Sequence, residues 1–271
     1  MNSCILFVAS VGLLVTTAGI LGGCAGGPTQ PNARRVLITQ SWDDGDRNDE
    51  RLIAVLRKYN ARGTFFIYPV NYVLLSKDPQ AALKADPRLI APLSRFLEVY
   101  GGHEGLEIGA HGYTHPDLRK CSPEQLRYEL AEPKRVLEAW FARPVVGMSY
   151  PYGACDATVI EAVRAAGYRY ARVVSDPNQP PPNVVPVEDP YRLPPSLHFR
   201  DPRFWDQFER VKTFGGAFYF WGHSSEIRTE EQWRQFEQTI ARLSADPAVQ
   251  WVTNAELLEM SAAPDNITWR N

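Results

Sequence analysis

The stretch SWDDGDRND places two adjacent carboxylates, Asp43 and Asp44, at the end of the apolar run 35–42. Neighbouring anions repel, so a fold keeps both only where something offsets their charge. A bound divalent cation would do so and would divide the labour. One carboxylate can bind the ion while the other stays free as a general base beside the activated water. His111 and His115, in HGYTH, are separated by three residues. They can point the same way if the chain between them turns helically. HxxxH alone is a weak signal, often no more than a helix surface. Joined to the Asp pair and to a further histidine, His223 in FWGH, it describes a His-His-Asp site with open positions. Histidines favour zinc or another borderline metal, and DDGDRND lacks the EF-hand spacing of a calcium loop.

These residues need elements that bring them together. The run 35–42 reads as a strand and 49–61 has helical apolar spacing. Strand and helix then alternate: strand 63–70, helix 88–100, strand 106–113, helix 122–141 with an N-cap Ser and a following Pro, strand 145–153, helix 156–167 and strand 168–174. A Pro-rich loop runs to Leu193. The segment 195–199, helix 202–214, strand 215–223, helix 229–245 and strand 249–258 complete the order. Such alternation predicts an α/β fold in a single domain: a distorted (β/α) barrel of seven or eight parallel strands. No GxGxxG follows the first strand, which argues against a doubly wound nucleotide-binding sheet. In a barrel the C-terminal strand ends share one face. Three of the five histidines fall at such ends; His103 and His198 read as ordinary loop residues.

SWDDG, HGYTH, SYPYG and WGH, in this order, resemble the polysaccharide deacetylases, the NodB-like carbohydrate esterases of family 4, over residues 36–259. The resemblance implies metal-dependent hydrolysis of N-acetyl groups on an aminosugar-containing polysaccharide. By position it implies Asp43 as general base, His223 as general acid, and Asp44, His111 and His115 as ligands of a divalent metal, zinc first among the candidates. Tyr152 lies where a backbone N–H helps to form the oxyanion hole. Two departures stand out. Ser149 occupies the place of an Arg that contacts the base in the family, and the family's Asp-Trp motif is not evident. Arg172 is expected to supply the missing cation from the next strand. Asp176 is a candidate to orient His223, and Glu226 either supports that site or is a helix-start anion. Tyr150, Tyr152, Trp205 and Trp221 are candidates to stack on sugar rings, core packing being the alternative. An O-acetyl esterase and a silent glycan-binding barrel are the competing functions. Intact Asp43 and His223 argue against the second.

The formal net charge of -2 and the lack of a basic patch argue against nucleic acid as a partner. Residues 1–23 read as an export signal of lipoprotein type, with LGGC resembling a lipobox that would lipidate Cys24. Residues 24–34 read as a tether, and 35–263 as the barrel domain, exported to the cell envelope and held at a membrane by that lipid. Cys121 and Cys155, in adjacent βα loops, are expected to form a disulfide.

Overall fold

The computed structural model describes residues 36–262 except 177, 180 and 183. The expected export signal and tether lie outside the described residues. β1 (Val36–Asp44) is the hub of a parallel sheet. One edge of β1 pairs with β7 (Ala217–Gly222) along Leu37–Trp42. The other pairs with β2 (Gly63–Ile67) along Ser41–Asp44. β8 (Val249–Trp251) takes the remaining length of that edge, at Val36–Ile38. Beyond β2 come β3 (Leu106–Ala110), β4 (Gly147–Ser149) and β5 (Tyr170–Arg172), and beyond β7 comes β6 (Leu197–His198).

Between β5 and β6 the ring is closed by one short piece of chain. Leu193 N–H donates to Ala171 O at 3.0 Å and Val173 N–H to Leu193 O at 3.1 Å; Ser196 N–H then donates to Tyr219 O at 2.7 Å. The segment thus crosses from the β5 ladder to the β7 ladder within a few residues. That is the distortion of this (β/α) barrel.

Helices cover the outside. α1 (Asp49–Lys58), α4 (Leu93–Gly101), α5 (Pro123–Phe141), α6 (Ala157–Ala165), α7 (Phe204–Phe214) and α8 (Glu230–Ala245) match the sequence expectation in kind. α5 and α8 each open with a capping box, Ser122 with Gln125 and Thr229 with Gln232, which satisfies two otherwise orphaned amides. α2 (Val70–Lys77) and α3 (Pro79–Ala85) form where a loop was expected. The strand expected over 249–258 ends at Trp251, and α9 (Asn254–Ala262) follows.

Alternate residues of a strand face opposite ways. From β1, Val36, Ile38 and Trp42 join the outer core beneath the helices. Leu37 faces inward with Phe66, Tyr170, Leu193, Ala217 and Tyr219. The inward series of β1 continues through Thr39 and Ser41 to Asp43. Polar side chains in so narrow an interior must find partners, and they do. Thr39 donates to Asn254 and Tyr219 to Ser41, each at 2.8 Å. Thr64 (2.9 Å) and Tyr170 (2.8 Å) donate to Glu107, as does the Ala255 N–H at 2.9 Å. Burial still pushes the Glu107 carboxyl up, against these hydrogen bonds. Gly147 faces the Tyr170 ring so closely that a Cβ there would lie 2.0 Å from it. This hydrogen-bonded plug fills the barrel below the strand ends.

Candidate metal centre and acid–base pair

Asp43 ends the inward series of β1 and is almost wholly buried. Its neighbours on the same face are Ser149, the last residue of β4, and Arg172, the last of β5. Ser149 and Arg172 are cross-strand partners in register. The Arg172 guanidinium is fully buried and Nη2 donates to Asp43 Oδ2. It lies over the Trp221 ring, 4.8 Å from the centroid. Burial alone would raise the Asp43 carboxyl. Arg172, with smaller help from His111 and His223, more than offsets that and holds it below the ordinary value. A carboxylate kept ionised in a dry pocket is what a general base needs.

Strand alternation would turn Asp44 to the opposite face from Asp43, but its backbone is left-handed, with φ 80°, and its carboxylate reaches the same histidine. Its Oδ1 lies 3.8 Å from His111 Nε2 and 3.7 Å from His115 Nε2. The two Nε2 atoms are 3.1 Å apart. His111 Nδ1 lies 2.9 Å from Ser149 O, a pure acceptor, and 2.6 Å from Ser149 Oγ, whose own hydrogen can go to Asp43 Oδ1; a hydrogen on Nδ1 satisfies both contacts and leaves the Nε2 lone pair to the site. Asp44 Oδ1 is buried and has no hydrogen-bond partner. An orphaned carboxylate oxygen between two imidazole nitrogens, one of them fixed as an acceptor, fits a divalent cation. Burial lowers the His111 pKa. It lowers that of His115 to about 4, with the neighbouring His111 as a further cause, so both imidazoles are neutral near neutrality, the form that can bind a metal.

The chain between the two histidines is not helical, contrary to the sequence expectation. Gly112 and His115 both have positive φ, 71° and 62°. This irregular turn, not a helical pitch, brings the rings together.

Tyr152 also sits in a left-handed turn, with φ 61°. Its ring is exposed and meets that of His115 edge-on at 4.7 Å. A cleft of 560 Å³ lies on one side, lined by Tyr68, Asn71, Arg88, His115 and Tyr152. Another of 670 Å³, lined by Pro116, Asp117, Lys120, Gln125 and Tyr152, lies on the other. Trp221 Nε1 donates to Ser175 at 3.0 Å. Tyr150 is fully buried and serves the core, and Trp205 packs on Phe204 and Phe208, away from these groups.

His223 follows β7. Its Nδ1 lies 3.2 Å from Glu226 Oε1. Burial would lower this histidine, but Glu226, Asp43 and Asp44 together raise it above its ordinary value. Asp176 does not serve it; that carboxylate accepts from the Asn178 N–H in its own turn. His198, read from the sequence as an ordinary loop residue, is the other partner of Glu226, with Nε2 2.9 Å from Oε2. Its Nδ1 accepts from the Arg200 N–H at 3.3 Å, which leaves the ring hydrogen on Nε2. His198, His223 and Glu226 also stand close enough to hold an ion. With its hydrogen on Nε2, His198 has no lone pair there for an ion and sets that nitrogen against the Glu226 carboxylate instead. His198 ends β6, so the strand-end rule that singled out the other histidines applies to it too.

Cys121 and Cys155 are free thiols, so the expected disulfide is not formed. Each sulfur has turned to a separate neighbour, Cys121 toward Asp117 O at 3.8 Å and Cys155 toward Arg192 at 3.7 Å.

YxkH of Bacillus subtilis (strain 168), provisionally named a polysaccharide deacetylase, is 24% identical over 141 residues, covering 52% of this chain and 44% of that protein. The chain therefore aligns with under half the length of this curated relative. A crystal structure from Mycobacterium smegmatis, with the same provisional name, aligns at a TM-score of 0.60 and 17% identity over 90% of this chain and 95% of that one. A family 4 carbohydrate esterase from Bacillus anthracis aligns at 0.53 and 15% identity over 83% of each chain. At these identities the structures speak for the fold alone. The sequence pattern described as polysaccharide deacetylase matches residues 30–171, from before β1 into β5. That span holds Asp43, Asp44, His111, His115 and Tyr152, and stops one residue short of Arg172. Because the matched half carries the carboxylate pair and both turn histidines, the chain belongs to the polysaccharide deacetylase family.

Proposed function

We propose that this protein is a metal-dependent hydrolase that removes N-acetyl groups from an aminosugar-containing polysaccharide. The observation that carries the reading is the meeting of Asp44, His111 and His115 next to an ionised, Arg-paired Asp43. A divalent metal held by those three side chains, zinc by the character of the donors, would supply a Lewis acid for the acetyl carbonyl. Asp43 takes the proton of the attacking water, and Arg172 keeps it ionised before and after. The N–H of Tyr152 faces the developing oxyanion. His223, held by Glu226 through Nδ1, gives the proton on Nε2 to the departing amine. The clefts beside Tyr152 give a polymer room to pass, with the exposed Tyr152 ring as a surface for a sugar face. We also infer export and lipid attachment at Cys24 from the lipobox pattern; the mass of the mature N-terminal peptide tests this.

Acetate release from N-acetylated and O-acetylated glycans, before and after chelation and with zinc restored, tests the main proposal. Release from N-acetylated polymer that chelation stops and zinc restores is the expected result. Release unaffected by complete metal removal would refute the metal role, and release from O-acetylated glycans alone would make this an esterase.

A further inference from the structure

Glu129 stands on α5, outside every motif the sequence offers, yet its carboxylate lies beneath the turn that carries both histidine ligands. Oε2 accepts from the Tyr113 N–H at 2.7 Å and from the Thr114 N–H at 2.8 Å. Oε1 accepts from the Thr114 hydroxyl at 2.6 Å. The residue is only 6% exposed. It forms no ion pair with Lys or Arg among the described residues. Three short donors from one turn take the place of a counter-ion.

The histidines converge through a turn that is neither helix nor strand. Its left-handed residues, Gly112 and His115, cost conformational freedom or strain that something must hold in place. Two consecutive amides of that turn, Tyr113 and Thr114, point away from the metal ligands and into Glu129. We propose that Glu129 is a positioning residue for the metal: it fixes the turn 111–115 so that His111 Nε2 and His115 Nε2 stay 3.1 Å apart beside Asp44. A site assembled in advance binds its ion more tightly than one that must order a loop first. The inference rests on the proposed metal role of Asp44, His111 and His115.

The geometry makes reach, not charge, the property that matters. Glu129→Gln keeps the length. Its carbonyl oxygen can accept both amides and its NH2 can donate to the Thr114 hydroxyl. Glu129→Asp keeps the charge but is one methylene short of the turn. Glu129→Leu keeps the bulk and accepts nothing. Zinc affinity of the metal-stripped full-length protein, measured by competition with a chromophoric chelator, should fall about 10–100-fold in Glu129→Leu. It should fall less in Glu129→Asp and least in Glu129→Gln. Urea unfolding of each stripped variant, run in parallel, reports the fold separately. If Glu129→Leu does not fold, the order of the other two still decides.

Zinc affinity equal to wild type in both folded Asp and Gln variants would overturn the proposal. So would the reverse order, Asp near wild type and Gln weak, which would assign Glu129 an electrostatic part instead. A stability loss with zinc affinity unchanged would mark an ordinary structural residue. Failure of the wild-type protein to bind zinc would count against the proposed metal centre rather than against Glu129.

Discussion

Asp43 sits in a closed pocket beside a buried guanidinium, whereas His223 stands a quarter exposed between loops with Glu226 and His198. The two groups face one site from neighbouring strands, β1 and β7. Their surroundings push them in opposite directions: Arg172, with His111 and His223, outweighs burial to hold Asp43 low, and Glu226, with Asp43 and Asp44, outweighs burial to hold His223 high. The base end is made from strand positions, and there the register decides what can substitute for what. Ser149 leaves no cation where the family has its Arg, but Arg172 is the in-register partner of Ser149 on the next strand. A guanidinium from that position reaches the same carboxylate, and the small Ser149 makes room for it while its hydroxyl lies 3.4 Å from Asp43 Oδ1. The acid end is made from loops, and its supporting carboxylate comes from three residues along the same loop.

The largest expected effect lies at the base end. Asp43→Asn keeps the shape but cannot take a proton. We expect kcat to fall about 10²–10⁴-fold, with zinc content unchanged, measured by acetate release and elemental analysis on one preparation. Loss of zinc from this variant, with retention in Asp44→Asn, would reverse the roles of the two carboxylates.

Arg172→Met tests the same end through stability. It leaves a buried carboxylate without its partner, which costs about 3–5 kcal/mol in comparable cases. The folded Asp43 pKa is lowered, so its contribution to stability is present above the ordinary carboxylate pKa and is lost as pH falls through the folded value. In the variant the carboxyl rises instead, and the acid limb of kcat/KM should move to higher pH. Urea unfolding near neutrality should show the loss, and Asp43→Asn combined with Arg172→Met should recover much of it. A double variant no more stable than Arg172→Met alone would mean that Arg172 stabilises by packing on Trp221.

These expectations follow from parts that the sequence made legible to different degrees. The strand-end rule located Asp43, Asp44, His111, His115 and His223 because strands 1, 3 and 7 have strong apolar runs. It passed over His198 because β6 has two residues and no run to detect. The strand expected through 258 failed on a visible signal. Thr253 and Glu256 form a reciprocal cap, with Thr253 N–H to Glu256 at 2.8 Å and Glu256 N–H to the Thr253 hydroxyl at 3.3 Å, and that pattern starts a helix. Glu129 carries no local signal at all. Nothing in its helix distinguishes it from the solvated acids around it until the turn 111–115 is packed above it. The thiols were misjudged because adjacent loops do not fix the direction of a side chain.

Glu226→Gln moves the test to the acid end. It removes the first of the anions that together outweigh burial at His223, so the His223 pKa should fall. The protonated form is the acid, so the alkaline limb of kcat/KM should move to lower pH. Stability follows the same sign: a raised histidine contributes below its unfolded pKa, and the contribution is lost as pH rises through the folded value. We expect kcat/KM near neutrality to drop about tenfold, short of the full acid contribution of 10²–10⁴. An unmoved alkaline limb would mean that Asp43 and Asp44 alone hold His223 protonated.

The smallest effect, and the sharpest separation of the two ends, should come from His198. Its Nε2 lies 2.9 Å from Glu226 Oε2 as an ion-pair contact, on the carboxylate whose Oε1 stands 3.2 Å from His223 Nδ1, and the two histidines together hold Glu226 well below the ordinary carboxylate range against its burial. A donor taken from a shared acceptor leaves that acceptor stronger for the donor that remains. His198→Ala should therefore raise the His223 pKa and move the alkaline limb to higher pH, the opposite of Glu226→Gln. The facing groups are few: Glu226, Asp43, Asp44 and His115 face His223, and Glu226 and Asp201 face His198. His198 and Glu226 are each more than a quarter exposed, so water screens the contact and the change in kcat/KM should stay below about tenfold. The sign of the shift is the measurement that matters. A limb moving to lower pH would show that His198 acts by holding Glu226 in place, since a carboxylate set loose would turn away from His223 and stop supporting its charge. A limb moving upward would establish that the two histidines compete for one carboxylate, whereas at the base end Asp43 has Arg172 as its only Lys or Arg partner among the described residues.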